Sequence, residues 1–422
     1  MNVTGAMSTV RPRRMTQTAR ERLAEAPVLL LEGPRSVGKS TVVRAIAEEH
    51  GAEVVDLDQP AVLDAVSRDT ERYVSDARLV CIDEYQLAPQ VLQFIKAKLN
   101  QGARPGMFVL AGSVSFAGLP TGVQALTGRV QRVQLLPFSQ GELAGVEERW
   151  LEQLLTSGEV PRDESKGVDR ADYVQRIVTG GFPLAVAATS ERARIHWIDS
   201  YIDMALTRDI TQVATVRKPI GLSNLLTVMG SQTAELLNVD RAARSAGISR
   251  VTAERHLALL ESVFLLRRLP AWNSVVTHRA TRNSKVHVLD SAVASRILKL
   301  SAARLNSKAP DAATAFGHLL ESFVVGELIK QGSWISEPIR FFHWRTHEGF
   351  EIDLIAERSD GGIVAFEVKA GPLVSDKDFK PMQVFRDKVG DRFLAGVVLN
   401  TGTEAYRTPA GFHVSPISHI WA

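Results

Sequence analysis

The segment VLLLEGPRSVGKSTVVRAIAEEHG restricts the possible folds of this chain more than any other, because it passes from strand to loop to helix. The apolar run Val28 to Leu31 predicts a short buried strand, and the apolar residues after Thr41 recur with helical spacing. The loop between them, Gly33 to Ser40, fits the pattern G-x-x-x-x-G-K-[ST]. Backbone N–H groups of such a loop point at phosphate oxygens, and the following helix presents its positive end to them. The segment therefore predicts a phosphate cradle; the alternative is a glycine turn with an incidental lysine.

The residues of this loop have separate expected roles. Lys39 would neutralise charge on the β- and γ-phosphates, and the Ser40 hydroxyl would bind Mg²⁺. The expected ligand is ATP, with Mg²⁺ as its cofactor. The predicted ATP-binding residues are Gly33, Pro34, Arg35, Ser36, Val37, Gly38, Lys39, Ser40, Thr41 and, later in the chain, Ser113.

The segment RLVCIDEYQ supplies two carboxylates that suit the same site. Leu79 to Ile82 predicts a buried strand, at whose end Asp83 could hold the Mg²⁺ shell and Glu84 could polarise the attacking water. A third predicted strand, GMFVLAGS, ends at Ser113, whose hydroxyl could lie between Glu84 and the γ-phosphate. An ordinary strand end and a turn serine are the alternatives.

Two arginines follow in LTGRVQRVQLLPFSQGEL, namely Arg129 and Arg132. In oligomeric ATPases an arginine at this place reaches the γ-phosphate of a neighbouring subunit and stabilises charge in the transition state. Arg129 is therefore a candidate catalytic residue, and a homo-oligomer is compatible with this interpretation. Solvated surface arginines are the alternative.

Composition limits the class of protein and its partners. A chain of 422 residues predicts two or three domains, and its net charge of +3 is too small to establish a nucleic-acid partner. Arginines are nevertheless concentrated between Arg11 and Arg22 and between Arg241 and Arg282, which predicts local basic patches. The single Cys81 and the absence of a signal-peptide pattern or a continuous membrane-length apolar run predict a cytoplasmic protein without a membrane partner.

The segment LNVDRAARSAGISRVTAERHLALLESVFLL has the pattern of a helix-turn-helix. A short helix from Val239 to Arg244 would lead into a left-handed turn at Gly247, and Ser249 would cap a second helix. The apolar positions expected on that helix are Val251, Leu257, Leu260 and Val263. The face expected to be exposed and to contact DNA carries Arg250, Thr252, Arg255 and His256. Packing against other protein surfaces is the alternative use of such a module.

The segment EIDLIAERSDGGIVAFEVKAG predicts two strands joined by a glycine-containing turn. Glu367 and Lys369 are two residues apart and therefore share one face of a strand. A hairpin would bring them to Asp353, and Glu321 would join from the preceding helix. Asp353 and Glu367 could bind Mg²⁺ or Mn²⁺, and Lys369 could position the nucleophile.

The order of several motifs resembles that of the bacterial and archaeal predicted AAA+ ATPases joined to a C-terminal domain of unknown function. Family members commonly read GPRQVGKTT and TGS where this chain has Ser36, Ser40 and Ala111; Ser40 keeps the hydroxyl. The resemblance covers most of the chain and implies a helical lid in the region that is helical by periodicity from Asp172 to Val213. The motifs that carry it are GPRSVGKST, VVDLDQP, CIDEYQLAP, FVLAGSVSF, LTGRVQRVQLLPFSQGEL and GGFP.

The C-terminal constellation also resembles the PD-(D/E)xK nuclease superfamily, which has a helical Glu, an Asp and then E-x-K on the next strand. That resemblance implies metal-dependent cleavage of DNA. The positions that match are Glu321, Asp353, Glu367 and Lys369, and they are candidate catalytic residues with Glu84 and Arg129. The alternatives are a solvated strand face and a nuclease-like fold that serves only as a binding platform.

The predicted fold class is α/β, with four units in chain order. They are a P-loop AAA+-type ATPase core (1–155), a helical lid (156–220), a winged helix-turn-helix (221–300) and a C-terminal α/β restriction-endonuclease-like domain (301–422). The predicted function is Mg²⁺-dependent ATP hydrolysis by a DNA-binding protein that couples nucleotide state to its nuclease-like domain. The alternative is an ATP-switched regulator that binds DNA or protein and does not cleave.

Overall fold

A parallel sheet forms the centre of the N-terminal unit. The structure, a computed structural model, describes residues 11–75, 78–115, 126, 128–161, 167–214, 219–274, 283–307 and 309–422. The sheet has the order β2-β3-β4-β1-β5, and its paired strands are parallel. Its strands are β1 (Val28–Glu32), β2 (Val54–Asp56), β3 (Val80–Asp83), β4 (Phe108–Gly112) and β5 (Val130–Gln134). The three central strands are buried along their whole length, as expected where helices cover both faces of a parallel sheet.

Helices connect these strands and cover the sheet. Because the strands are parallel, the loops after β1, β3 and β4 meet at one edge, where the carboxyl ends of the strands lie. The predicted phosphate loop, Glu84 and Ser113 all belong to that edge. The helices are α1 (Met15–Glu25), α2 (Lys39–Glu49), α3 (Pro60–Arg68), α4 (Thr70–Val74), α5 (Val91–Gln101), α6 (Gln140–Ala144) and α7 (Trp150–Ser157).

The next region is helical, as its periodicity predicts, and the TGGFP segment interrupts it. A Cβ added at Gly181 would lie 2.3 Å from the backbone oxygen of Phe138, so only glycine fits this approach. A π-helical stretch, Ala205–Asp209, carries Asp209 to the phosphate loop. The helices are α8 (Arg170–Thr179), α9 (Pro183–Val186), α10 (Glu191–Met204) and α11 (Ile210–Val213).

A helix-turn-helix and a small antiparallel sheet follow. Gly247 has φ of 68°, and the Ser249 side chain accepts a hydrogen bond from the Thr252 N–H, so the predicted turn and cap are confirmed. The sheet has the order β6-β8-β7. The elements are α12 (Pro219–Ser231), β6 (Glu235–Leu236), α13 (Val239–Ala246), α14 (Arg250–Ser262), β7 (Leu266–Leu269), β8 (Lys285–Val288), α15 (Ser291–Ile297) and α16 (Ala302–Leu305).

Two positions on α14 differ from the sequence prediction. His256 is 4% exposed and Val251 is 75% exposed, so the histidine is not on the exposed face and the valine is not in the core. The buried stripe of α14 has spacing i, i+3, i+4 and i+7. Val251 lies two residues before the stripe begins and therefore points away from it. The stripe consists of Ala253, His256, Leu257 and Leu260.

The C-terminal unit is a mixed six-stranded sheet of order β13-β14-β12-β11-β10-β9. Its first three strands are an antiparallel meander, and β12 then pairs parallel to β11 after a helical crossover. The elements are α17 (Pro310–Trp334), β9 (Arg340–Arg345), β10 (Glu351–Glu357), β11 (Ile363–Lys369), α18 (Lys380–Val389), β12 (Phe393–Asn400), β13 (Tyr406–Arg407) and β14 (His413–Pro416).

Helix α17 is the one helix among the described residues that is long and apolar enough to cross a membrane by length and composition. However, 56% of its apolar window is buried inside the protein, where it packs on β11 and on helices of the other units. Its charged residues Glu327 and Lys330 are also buried and paired with each other. These features are those of a core helix.

The same pair joins α17 to the N-terminal unit. Lys330 donates to the backbone oxygen of Phe138 at 3.0 Å and to Glu327 at 2.6 Å, and Glu327 accepts from the Gln140 N–H at 2.8 Å. Glu148 lies nearby, and burial together with the Glu327 charge raises the pKa of its carboxyl group. We call Phe138, Gln140, Glu327 and Lys330 the interdomain junction.

Candidate nucleotide site and carboxylate cluster

The loop Gly33 to Ser40 bends back on itself so that its lysine points inward. Lys39 is 4% exposed, and its ammonium donates to the backbone oxygens of Gly33 at 3.0 Å and Pro34 at 2.9 Å. Burial lowers the pKa of Lys39, and Glu84 and Asp83 oppose this shift. Ser36 and Gly38 have φ of 64° and 98°, which are the left-handed turns of the loop.

The two predicted carboxylates lie beside this loop. Ser40 donates its side-chain hydrogen bond to Asp83, and the same Asp83 accepts from the Glu84 N–H at 3.0 Å. A hydroxyl and a carboxylate are oxygen donors of the type that Mg²⁺ prefers. Burial raises the pKa of Asp83, although the Ser40 hydrogen bond opposes it. These residues therefore have the donor chemistry to hold Mg²⁺.

Glu84 has an unusual backbone and a fixed side chain. Its φ is 54°, a left-handed conformation that is costly for a residue with a side chain. Its Oε2 atom accepts from the Ser113 hydroxyl at 3.0 Å and from the Gln86 amide. Burial alone would raise the pKa of Glu84, but the Lys39 ammonium and these hydrogen bonds lower it, so the carboxylate is ionised at neutral pH.

Arg35 connects the loop to the helical region. Its Nε donates to Asp209 at 3.0 Å, and its Nη1 lies 3.6 Å from Asp58, which also pairs with Arg208 at 2.8 Å. Asp209 is 2% exposed, and burial raises the pKa of its carboxyl group while Arg35 opposes the shift. The structure thus places a buried ion pair between the phosphate loop and the π-helical stretch, which the sequence did not indicate.

An open cleft of about 480 Å³ lies next to the first turn of α2. Arg13 lies along it and contacts the loop, since it donates to the backbone oxygen of Val37 and packs its guanidinium 4.5 Å from the ring centre of Phe138. Thr41 and Val42 line the same cleft, so it begins where the phosphate loop ends.

The two candidate arginines of β5 lie elsewhere. Arg129 precedes β5 and donates to Asn100 at 2.7 Å, at the amino ends of the strands and hence at the opposite edge from the chain's own phosphate loop. Arg132 pairs with Glu32 at 2.7 Å. Arg129 therefore remains a candidate only for a site on a neighbouring copy of the chain.

The four residues predicted in the C-terminal unit lie together, and Glu351 of the same unit and Lys285 of the small sheet join them. Lys285 of β8 is 1% exposed, and its ammonium lies 2.7 Å from Glu321, 2.6 Å from Glu351 and 2.9 Å from Asp353. Burial would lower the pKa of Lys285, but these three carboxylates raise it well above its usual value. We call Glu321, Glu351, Asp353 and Glu367 the carboxylate cluster.

Glu367 and Lys369 form the other side of the cluster. The pairing of β10 with β11 ends at Leu354 and Phe366, and beyond it the Asp353 side chain accepts from the Val368 N–H at 2.9 Å. Lys369 donates to Glu367 Oε1 at 2.7 Å and lies 3.5 Å from Asp378. Burial and the Asp353 charge raise the pKa of Glu367.

The metal site expected at Asp353 and Glu367 stays a prediction. Within the ranges that the structure describes, no group of three or more His, Cys, Asp or Glu residues is arranged to hold a metal ion. The Lys285 ammonium lies at the point where Glu321, Glu351 and Asp353 converge. Sequence reasoning missed Lys285 and Glu351; the only signal was a lysine at the start of an apolar strand and a second carboxylate two residues before Asp353.

The predicted DNA-contact residues of α14 do not form one free basic face. Arg250 is exposed but pairs with Asp240 at 2.6 Å and Glu254 at 3.0 Å. Thr252 shares a hydrogen bond with the Ser249 hydroxyl. Arg255 is exposed, whereas His256 is buried, as described above.

Comparison with known proteins separates three regions. Residues 25–144 match the family model of an AAA domain, and this range includes Lys39, Asp83, Glu84 and Ser113. The chain contains an AAA-type P-loop ATPase domain. Downstream of this AAA domain, residues 170–304 match a domain of unknown function, DUF8612, and residues 316–420 match another, DUF4143.

Two uncharacterised proteins and two solved structures are similar to parts of this chain. Uncharacterised proteins of Mycobacterium bovis and Mycobacterium tuberculosis are each 26% identical over 83% of this chain and 72% of their own length. Among solved structures, a Walker-type ATPase of Pyrococcus abyssi aligns with 14% identity and a TM-score of 0.44, over 69% of this chain and 97% of that one. AMPPCP-bound DnaA from Aquifex aeolicus aligns with 13% identity and a TM-score of 0.28, over 58% of this chain and 86% of that one.

Proposed function

We propose that this protein is a Mg²⁺-dependent ATPase that binds DNA and couples its nucleotide state to a nuclease-like C-terminal domain. The observation that supports hydrolysis most directly is the convergence of Lys39, Glu84 and Ser113 beside one loop of the AAA domain. A buried cation, an ionised carboxylate and a hydroxyl next to a phosphate loop are the groups that phosphoryl transfer to water requires. The cytoplasm, where ATP is abundant, is the proposed location.

In this proposal each group of the nucleotide site has one task. Lys39 neutralises charge on the β- and γ-phosphates, and Glu84 accepts a hydrogen bond from the water that attacks the γ-phosphorus as the bond to the β-phosphate oxygen breaks. Ser113 holds the Glu84 carboxylate in place at 3.0 Å. Ser40 and Asp83 would hold Mg²⁺, which supplies electrostatic stabilisation of the phosphate oxygens when bound.

The cleft beside α2 suits the nucleoside end of ATP. It begins at Thr41, immediately after the residues proposed to bind the phosphates, and Arg13 and Arg14 line it. An arginine guanidinium can stack on a planar base and can also donate to ribose and phosphate oxygens. The cleft thereby extends the proposed site from the triphosphate to the base.

Nucleotide state would be communicated through Arg35. A triphosphate in the loop brings negative charge close to the Arg35 guanidinium, which in this structure is paired with Asp209. Phosphate and Asp209 would then compete for the Arg35 guanidinium, and the π-helical stretch that carries Asp209 would shift when this contact is lost. That stretch leads through α11 to α14, with which α11 is in contact, so the response reaches the helix-turn-helix.

DNA binding is proposed for the helix-turn-helix, whose exposed α14 face carries Arg255. We expect Arg255→Ala to weaken binding of a fluorescent duplex in anisotropy titrations and to lower the slope of log K against log salt by about one. Val251→Ala is the matched control, because it truncates an exposed residue of the same helix without changing its charge, and it should leave the salt slope unchanged. No binding at low salt would rule out this part of the proposal.

A nuclease-like role is proposed for the C-terminal unit because a glutamate on helix α17, an aspartate on β10 and E-x-K on β11 resemble the pattern of the PD-(D/E)xK nucleases. Glu321, Asp353, Glu367 and Lys369 lie together within it. We expect the wild type to nick or cleave DNA with ATP and Mg²⁺ or Mn²⁺, and Asp353→Ala to do neither.

The experiment is one incubation series with linear, circular and branched DNA that measures phosphate release and strand scission together. Asp376→Ala, which removes an exposed aspartate of the same unit, is the matched control and should behave as wild type. If every DNA form stays intact while ATP is hydrolysed, cleavage is excluded. The second candidate function then applies, an ATP-switched regulator whose C-terminal unit serves docking, and the ammonium held in the carboxylate cluster favours it.

A further inference from the structure

The carboxylate cluster contains a cation that comes from another unit of the same chain. Lys285 belongs to β8, which pairs with β6 and β7 in the small sheet next to the helix-turn-helix. The acceptors of its ammonium belong to the C-terminal unit, namely Glu321 on α17 and Glu351 and Asp353 on β10. The contact therefore crosses between two elements of structure that are far apart in the chain.

The distances show that the ammonium fills the centre of the cluster. Each of the three contacts is between 2.6 and 2.9 Å, so the three oxygens converge on one point, at Nζ. The ammonium donates hydrogen bonds to Glu321 and Asp353, and Glu351 forms an ion pair with it. Carboxylate oxygens are also the ligand type that Mg²⁺ and Mn²⁺ prefer, so the ammonium occupies a place that such an ion could take after the side chains rearrange.

Glu367 indicates that the cluster can accept more positive charge than Lys285 supplies. Its Oε1 atom binds Lys369, but its Oε2 atom is fully buried and has no hydrogen-bond partner among the residues that the structure describes. The residue is 8% exposed, and it interacts electrostatically with both Asp353 and Lys285, so the unpartnered oxygen belongs to the cluster. A buried carboxylate oxygen without a partner is costly unless a cation or donor reaches it.

We propose that Lys285 is an internal competitor for a divalent cation at the carboxylate cluster, so that the metal enters only when β8 withdraws from β10 and α17. This inference rests on the proposed nuclease-like role of the C-terminal unit and adds a means of regulating it. While Lys285 is in place, Asp353 is paired and held without metal. When the small sheet moves, Glu321, Glu351 and Asp353 lose their ammonium partner together. Glu351 keeps its pair with Arg345, whereas Glu321 and Asp353 become available as ligands for a doubly charged ion.

Movement of the small sheet has a direct physical connection to the AAA domain. Arg267 on β7 donates to Gln134 of β5 at 2.8 Å, and the Ser115 N–H donates to the backbone oxygen of Ser262 at 2.8 Å. Ser115 lies two residues after Ser113, which contacts Glu84. A change at the nucleotide site therefore has a short covalent and hydrogen-bonded route to the sheet that carries Lys285.

The test measures Mn²⁺ binding by the loss of the free-ion electron paramagnetic resonance signal, in nucleotide-free protein. We expect Lys285→Ala to bind about one more Mn²⁺ per chain than wild type, and the added Asp353→Asn substitution to remove it. Lys388→Ala is the matched control, because it removes an exposed lysine of the C-terminal unit, and should add no Mn²⁺. Equal binding by wild type and Lys285→Ala would overturn the proposal, as would an Asp353-dependent ion in the wild type at the same affinity.

Two further measurements apply if Lys285→Ala does not fold. Lys285→Ala with Glu321→Gln removes one positive and one negative charge together, and should show the same additional Mn²⁺. In the wild type, millimolar Mn²⁺ should accelerate amide hydrogen exchange in residues 285–288, and Asp353→Asn should abolish that acceleration; unchanged exchange would contradict the competition. Neither readout needs ATP turnover or DNA scission. Additional Mn²⁺ binding by Lys285→Ala without any DNA cleavage would support competition by Lys285 and exclude the nuclease role. DNA cleavage without additional Mn²⁺ binding would support the nuclease role and exclude competition by Lys285.

Discussion

Replacing Glu84 with glutamine is expected to lower ATP turnover by about a hundredfold or more while ATP binding stays close to the wild-type value. The amide keeps the shape of the side chain and can still accept from Ser113, but it cannot take a proton or polarise water as a carboxylate does. Since Lys39 and the loop backbone are unchanged, the phosphates keep their partners. Phosphate release under saturating ATP, together with a calorimetric titration of ATP and Mg²⁺, separates the two effects.

The opposite pattern is expected at Lys39. Lys39→Ala removes the buried cation that would meet the phosphates, so both binding and turnover should fall. Glu53→Gln is the control for a Glu-to-Gln change, since Glu53 is exposed on the same domain, and it should leave turnover unchanged. Undiminished hydrolysis in Glu84→Gln and Lys39→Ala would show that the loop is not the hydrolytic site.

The nucleotide site was predictable because its parts are local in the sequence. The phosphate loop is a continuous stretch between a strand and a helix, and Asp83 and Glu84 end the next buried strand. Parallel strands bring their carboxyl ends to one edge, so order along the chain was enough to place Ser113 near Glu84. The contact of Arg35 with Asp209 was not predictable, because 174 residues separate them and no periodicity relates the two segments.

The carboxylate cluster also combines contacts that the sequence predicts with a contact that it does not predict. Strand alternation predicted that Glu367 and Lys369 share a face, and antiparallel pairing brought Asp353 to them. Lys285 reaches Asp353 across 68 residues from a different sheet. Helical periodicity also did not distinguish His256 from an exposed position, because the way α14 packs decides which of its faces is buried.

The interdomain junction offers a stability prediction that is independent of any nucleotide. Lys330 and Glu327 are both buried, and the lysine is the only ammonium in contact with Glu327 among the described residues. Removing one partner of such a pair leaves an uncompensated charge in a low-dielectric interior. The interdomain junction also holds α17 to the AAA domain, because Lys330 donates to the Phe138 backbone oxygen and Glu327 accepts from the Gln140 N–H.

Lys330→Met is therefore expected to lower the free energy of unfolding by about 3–5 kcal/mol. Adding Glu327→Leu should recover part of this loss, because the buried charge is then gone; the recovery should be incomplete, because Gln140 and Phe138 each lose a hydrogen-bond partner, at a cost of about 1–3 kcal/mol. Urea titration followed by tryptophan fluorescence measures all three proteins, and Arg250→Ala, which breaks an exposed pair, should be indistinguishable from wild type. If Lys330→Met and Arg250→Ala were equally harmless, the junction would not hold α17 to the AAA domain.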